Sequence, residues 1–195
     1  MANRIGIFPG TFDPIHRGHI SFALEVKQHC RLDKVILLPE SVPREKSNVS
    51  DIIHREALIN KAIAGTKGLE SIVLNSKQFT VSETIPELKS LYKKTNFTLL
   101  LGSDSVRTFT YRWEGLELLL SEMSLAIGLR AGDSKSEILE IISKLEKKYS
   151  LVINYTIIIG PNADMSSSQI RNKQYGVELD PEISEYIQSH GLYES

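Results

Sequence analysis

The sequence predicts an α/β fold, a doubly wound parallel sheet with flanking helices and a small C-terminal helical segment. Apolar strand-like runs alternate with helical patterns along the chain. Several of these runs are continuously apolar, as in strands buried on both faces. No internal repeat or low-complexity linker interrupts the alternation, and strand–helix alternation favours parallel pairing through right-handed crossovers. The expected architecture is therefore Rossmann-like. One domain is expected over residues 1–195, with its C-terminal helical part from about residue 165.

The first strand is expected at 5–8, an apolar run that stops at Pro9 and Gly10, followed by a helix over 18–30. Val-Ile-Leu-Leu makes a second strand at 35–38. The stretch 39–51 carries Pro39 and Pro43, mixed charge and little apolar content, and reads as a loop beyond that strand. A helix over 51–64 follows, with Arg55 and Glu56 assigned to its surface. Further strands are expected at 72–74, 97–101, 125–129 and 152–159, and further helices at 83–94, 114–121, 135–149, 167–173 and 181–189. In open α/β sheets, ligands bind beyond the carboxyl ends of the strands, so the loops there are where function is sought.

The chain has 195 residues, and 41% of them are hydrophobic, enough for a substantial core. Lysine and arginine total 23 against 24 acidic residues, for a net charge of −1. That balance argues against a broad nucleic-acid surface but permits a local basic pocket. The lone Cys30 excludes an intrachain disulfide and suits a reducing cytoplasm. No signal peptide and no membrane-spanning run is read from the sequence, so no membrane partner is expected. The sequence leaves a homo-oligomer open.

Residues 4–19 carry the densest chemistry. Gly10 follows the first strand and lets backbone approach a ligand closely, while Pro9 and Pro14 stiffen the turn. His16 and His19 lie three apart, so they share a face at a helix start, with Gly18 keeping the surface low. A helix N-terminus adds free N–H groups and a positive dipole end, which together favour an anion. The zinc-protease spacing His-Glu-x-x-His is absent, and so is the Gly-Lys-Ser/Thr of a Walker loop. At 165–171 the chain reads Met-Ser-Ser-Ser-Gln-Ile-Arg. Ser166, Ser167 and Ser168 are positioned to cap a helix and present hydroxyls, and Arg171 to fork phosphate oxygens. An ordinary serine cap with a solvated arginine reads the same string.

The string Gly-Thr-Phe-Asp-Pro-x-His-x-Gly-His resembles the signature of the His-x-Gly-His nucleotidyltransferase superfamily, whose two histidines contact the phosphates of ATP or CTP. The resemblance implies that role for His16 and His19, and an ATP-binding turn at Gly10, Thr11 and Phe12. The 165–171 string is similar to the same superfamily's Ile-Ser-Ser-Thr-x-Ile-Arg motif, with Met165 and Ser168 as mild replacements. Further segments resemble the bacterial nicotinate mononucleotide adenylyltransferases. Leu-Leu-Gly-Ser-Asp-Ser at 100–105 matches a strand end whose glycine and aspartate bind the adenosine ribose, which implies Gly102 and Asp104. Helix capping by Ser103 or Asp104 is the plainer reading of the same residues.

At the acceptor end, Phe79-Thr80 resembles a Tyr-Thr element that reads the pyridine carboxyl group, although Ser82-Glu83-Thr84 follows one residue longer than the family pattern. The family's ring-stacking tryptophan aligns without gaps to Arg112, so Trp113 and Tyr111 are the shifted candidates. Arg130 resembles an arginine lining the ligand cleft. Pro-Glu-Ser-Val-Pro-Arg-Glu-Lys at 39–46 resembles a Pro-Pro-His-Lys loop, with Lys46 as the phosphate-reaching base, Glu45 in place of histidine, and Arg44 as a substitute donor. The tail 185–193 is similar to the family's Tyr-Ile-x-x-x-Gly-Leu-Tyr and reads as structural.

The implied reaction is adenylyl transfer from ATP to nicotinate mononucleotide. Catalytic roles fall to His16, His19, Lys46 and Arg171, and Mg2+ bridges the substrate phosphates. The alternative acceptors are nicotinamide mononucleotide or another phosphate. A catalytically impaired nucleotide-binding regulator is the alternative of a different class, favoured by Glu45.

Overall fold

The computed structural model describes residues 2–44, 46, 48–130, 132–159, 166–172 and 179–193. Six strands make one parallel sheet: β1 (Asn3–Gly10), β2 (Lys34–Pro39), β3 (Leu69–Ser71), β4 (Thr95–Gly102), β5 (Met123–Gly128) and β6 (Tyr155–Ile158). Their order is β3-β2-β1-β4-β5-β6. The helices are α1 (Arg17–His29), α2 (Ile52–Ile63), α3 (Val81–Leu91), α4 (Ser103–Arg107), α5 (Leu116–Glu122), α6 (Lys135–Tyr149), α7 (Ser167–Arg171) and α8 (Pro181–Ser189). None of the described helices is long and apolar enough to cross a membrane.

The strand sequences explain why both faces are covered. Successive side chains of a strand point to opposite faces. Ile36, Leu38, Leu99 and Leu101 therefore join one core, with Leu88 of α3, Leu119 of α5 and Ile142 of α6. Val35, Leu37 and Leu100 join the other, with Ala23 and Val26 of α1, Leu58 and Ile59 of α2, and Ile183 of α8. Each fully buried aliphatic side chain contributes about 1.5–3 kcal/mol relative to exposure. A strand that faces apolar layers on both sides must be apolar throughout, which is the pattern the sequence shows. Strand β1 pairs with β2 on one side and β4 on the other, so the chain crosses over in opposite directions from these two strands. The crevice opened at their carboxyl ends is the ligand position expected of this topology.

Three local expectations need correction. Strand β3 lies at 69–71, not 72–74: Ile72 still donates its N–H to Leu37 O, but it and Leu74 pack on the core beyond the ladder. The apolar pattern there reports burial, not pairing. Strand β6 is only Tyr155–Ile158, because Val152 and Ile159 are 82% and 72% exposed at the sheet edge. Helix α4 has no counterpart in the sequence reading, since one turn of Ser-Asp-Ser-Val-Arg is too short to show a period.

Candidate active site

A cleft of about 1080 Å³ opens at the carboxyl ends of β1, β4 and β5. It is floored by the 9–13 turn and the two histidines. The loop after β2, the start of α4, Arg112 with Trp113, Arg130, and the Ser166–Ser168 and Arg171 segment form its walls.

His16 is the N-cap of α1 and His19 its third residue, so the helix starts one residue earlier than expected. The two rings lie with centroids 3.7 Å apart and their planes tilted by 35°. His19 Nδ1 accepts the backbone N–H of His16 at 3.3 Å, which places its own proton on Nε2. The buried His16 Nδ1 has no hydrogen-bond partner among the described residues. A buried imidazole nitrogen left unpaired is costly unless a ligand completes it. Burial first, and the charge of Arg130 second, push the His16 pKa down to about 4. Burial, His16, Arg130 and Lys46 hold His19 well below its ordinary value. Both rings are therefore neutral at pH 7 and able to donate through N–H.

The depressed value has a consequence for stability. Unfolded histidine titrates near 6.5, so between that value and about 4 the unfolded chain binds more protons than the folded one. The stabilisation is complete above pH 6.5 and is lost as pH falls. By pH 5, His16 alone accounts for a loss of about 2 kcal/mol. Thermal melts between pH 7 and 5 should show Tm falling, and His16→Gln should flatten that slope. An unchanged slope would assign the proton uptake to other groups.

Gly10 has a more definite reason than ligand approach: a Cβ there would lie 2.9 Å from the Phe12 ring. Phe12 is buried at φ 49, and its ring sits edge-on to Phe8 at 5.3 Å and to His19 at 5.1 Å. Bulky residues rarely adopt this left-handed backbone. The strain is held by the aromatic packing, which in turn supports His19 from below. The turn thus contributes backbone to the cleft and a ring to the histidine's platform.

Lys46 Nζ donates to Thr11 Oγ1 at 2.8 Å, and burial followed by the charge of Arg171 lowers its pKa. Arg171, at the end of α7, donates to the backbone carbonyl of Asp13 and to Ser168 Oγ. Ser167 Oγ donates to Pro14 O at 2.9 Å. Residues from opposite ends of the sequence are thereby tied to one turn. Ser166 lies on the cleft wall immediately before α7. Glu45 and Met165 lie outside the described residues.

Arg55 is not a surface residue. It is 1% exposed, and its guanidinium donates to Thr11 O and Ser50 O at 2.8 Å and to Ser41 O at 3.3 Å. One side chain clamps both ends of the loop carrying Lys46 onto the turn carrying Thr11. Beside it, Asp13 is 2% exposed and accepts from Tyr193 Oη at 2.6 Å and from Ser50 N at 3.4 Å. A charged side chain followed by an alternating helix looks like surface in sequence, and only the fold brings three carbonyls to it.

On the far side, Gly102 caps α4, and Asp104 in its first turn faces Arg130 at 3.3 Å. Neither Ser103 nor Asp104 is the cap. Ser103 is fully buried and donates to Asp133 Oδ2, which also accepts Arg130 N. Asp133, absent from the sequence reading, locks the strand ends that present Asp104 and Arg130. Arg130 therefore stands against the ribose candidate and close enough to both histidines for its charge to lower their pKa values, in the same cleft as Phe79 and Trp113.

At the acceptor end, Trp113 and Phe79 line the cleft with centroids 6.1 Å apart, and Trp113 Nε1 donates to Thr108 Oγ1 at 2.9 Å. Tyr111 is 71% exposed and is not part of the lining. Thr80 caps α3, accepting Glu83 N, and faces a neighbouring groove instead of the cleft. Arg44 lines the cleft but bonds Gln78 Oε1 at 2.9 Å and Phe79 O at 3.0 Å.

A doubly wound sheet with paired histidines, a lysine and an arginine at its switch point defines a nucleotide-handling transferase. The family model described as cytidylyltransferase-like matches residues 7–173, and the chain belongs to that family. Within it, the chain is similar to the nicotinate-nucleotide adenylyltransferases. It is 32% identical to "Probable nicotinate-nucleotide adenylyltransferase" of Thermoanaerobacter sp. (strain X514), over 97% of this chain and 94% of that protein. It is 31% identical to the protein of the same name in Dehalococcoides mccartyi, over 99% and 98%. The fold matches the structure of Plasmodium falciparum nicotinic acid mononucleotide adenylyltransferase complexed with NaAD, with a TM-score of 0.79 and 20% identity over 98% of each chain.

Proposed function

We propose that this chain transfers the adenylyl group of ATP to nicotinate mononucleotide, giving nicotinate adenine dinucleotide and pyrophosphate. The observation that carries this is the close His16–His19 pair at the switch point, which lines one cleft with Lys46 and Arg171. The names of the full-length relatives support the choice of acceptor. A phosphate oxygen of the mononucleotide attacks the α-phosphorus, and the bond to the bridging oxygen breaks as pyrophosphate leaves. The nucleophile is already anionic, so no general base is needed. Catalysis reduces to holding the phosphates in line and stabilising the charge that develops on them.

His19 Nε2–H and the unpaired His16 nitrogen are assigned to α- and β-phosphate oxygens. Lys46, Arg171 and the hydroxyls of Ser166, Ser167 and Ser168 are assigned to the triphosphate, with the Gly10–Phe12 backbone beneath it. Gly102 and Asp104 are assigned to the ribose. No group of three or more His, Cys, Asp or Glu side chains among the described residues is placed to hold a metal ion. Mg2+ brought with ATP would be held mainly by substrate phosphates and water and would supply charge neutralisation there. A cytoplasmic setting, where the lone Cys30 stays reduced, belongs to the same proposal.

The test is pyrophosphate release from ATP with the purified chain. Release that requires nicotinate mononucleotide, with formation of the dinucleotide, is the expected result. Hydrolysis without the acceptor, or no release at all, would sink the reading. Nicotinamide mononucleotide is the second acceptor to compare, because Thr80 lies off the cleft and the Phe79 N–H is already bonded to Glu40 Oε1 at 3.0 Å.

A further inference from the structure

The tail after α8 does more than pack. Leu192 packs on the second core, as an apolar tail residue should, but its neighbour Tyr193 carries a phenol to the Asp13 carboxylate, in a residue only 2% exposed. Asp13 lines the same cleft as Lys46 and Arg171. Its charge reaches Lys46: burial lowers the pKa of that lysine, and Glu40 and Asp13 are the carboxylates that oppose the lowering. Arg171 already touches the residue through Asp13 O. A carboxylate in this position competes with phosphate oxygens for both cations, because it offers them the same charge-assisted hydrogen bonds.

Two donors hold it aside. Tyr193 Oη donates to Asp13 Oδ1 at 2.6 Å, the length of a charge-assisted O–H bond to a carboxylate, and Ser50 N–H donates to Oδ2 at 3.4 Å. A buried carboxylate is costly unless donors complete it, and the phenol makes the shorter of these contacts. Burial, and then the bond to Asp13, raise the Tyr193 pKa, so the phenol keeps the proton it donates. The helix that delivers it is framed along its length. Arg17 donates to Asp180 Oδ1 at 2.9 Å at its start, and His54 Nδ1 lies 3.1 Å from Tyr186 Oη further along. Leu192 N–H then bonds Ile187 O at 3.0 Å and turns the tail back toward the 11–13 turn.

We propose that Tyr193 is a positioning residue of the triphosphate site, holding the Asp13 carboxylate away from Lys46 and Arg171 so that both cations remain available to phosphate oxygens. The inference rests on the assignment of those two cations to the triphosphate in the function proposed above. Without the phenol, the carboxylate regains a partner by turning to Lys46 or Arg171. That pair must then be broken before the triphosphate binds, at the cost of one charge-assisted hydrogen bond, about 10-fold in affinity for ATP. AMP lacks the β- and γ-phosphates and is spared most of this cost.

Titrations with ATP and with AMP test this on the wild type, Tyr193→Phe and the double variant Tyr193→Phe/Asp13→Asn, with thermal melts to confirm folding. Phenylalanine keeps the ring and its packing, so the single variant isolates the hydroxyl. Tyr193→Phe should bind ATP about 10-fold more weakly, with AMP nearly unchanged. The double variant should recover most of the ATP affinity, because an amide carries no charge with which to compete. A merely structural loss is not repaired by a second substitution beside it. Unchanged ATP affinity in Tyr193→Phe, equal losses for ATP and AMP, or no recovery in the double variant overturns the inference. The titrations need no acceptor, so a wild type that binds ATP without adenylylating nicotinate mononucleotide removes the proposed function while the same outcomes still decide the role of Tyr193. A wild type that binds no ATP removes both.

Discussion

His19→Ala is expected to lower turnover about 10²–10⁴-fold, the range seen when a preorganised donor to a transition-state charge is removed. The expectation rests on how the structure holds the His19 ring. Its Nδ1 is occupied by the His16 N–H, so its single proton is held on Nε2. Phe8 and Phe12 fix the ring from one side and His16 from the other. A neutral, pre-aimed donor needs little reorganisation when charge builds on the α-phosphate. Pyrophosphate release should fall in kcat more than in KM for ATP. His19→Asn, which keeps a donor of smaller reach, should fall between the wild type and alanine. Thermal melts of the variants separate this effect from a collapse of the platform. Near-normal turnover in a folded His19→Ala protein would end the assignment.

Arg171→Ala should cost about 10²-fold in kcat/KM for ATP, the loss of a charge-assisted phosphate contact. Arg171 works through position as well as charge. It bonds the Asp13 carbonyl, in the same turn that carries Thr11, and its charge adds to burial in lowering the pKa of Lys46. Arg171→Lys restores charge without the fork, so it should recover only part of the loss. Titrations with AMP and ATP locate the defect: AMP lacks the β- and γ-phosphates, so its affinity should change much less. Equal losses for both nucleotides would place Arg171 away from the triphosphate.

The legible parts of the molecule are those in which a local stretch determines its own geometry. The 4–19 segment reads correctly as strand, turn and helix because an apolar run, a glycine, prolines and two histidines three apart fall within one short span. The two-faced core is legible in the same way, since an unbroken apolar run such as Val35–Leu38 fits a strand buried on both faces. Periodicity fails at short or edge elements. It overshoots at Val152 and Ile159, displaces β3 onto residues that pack without pairing, and cannot register the single turn of α4.

Which residues cooperate is a different matter. Asp13, Arg55 and Tyr193 meet across 180 positions of sequence between the first and last, and Arg55 reads as a surface charge until Thr11, Ser41 and Ser50 turn their carbonyls toward it. The choice between Trp113 and Tyr111 on the cleft wall depends on the turn after α4, and the pairing of Arg130 with Asp104 on the alignment of β4 and β5. Taken alone, the order of residues establishes the sheet, the paired histidines at the first helix start and the superfamily resemblance, because each is encoded within a few neighbouring positions. The tertiary structure decides protonation, partner and direction. Burial keeps His16 neutral far below the usual histidine range, Lys46 meets Thr11 in a loop that Arg55 ties down, and Trp113 joins an aromatic wall only when Phe79 arrives from a distant segment. Burial and long-range contact are properties of the folded chain, and no local pattern carries them.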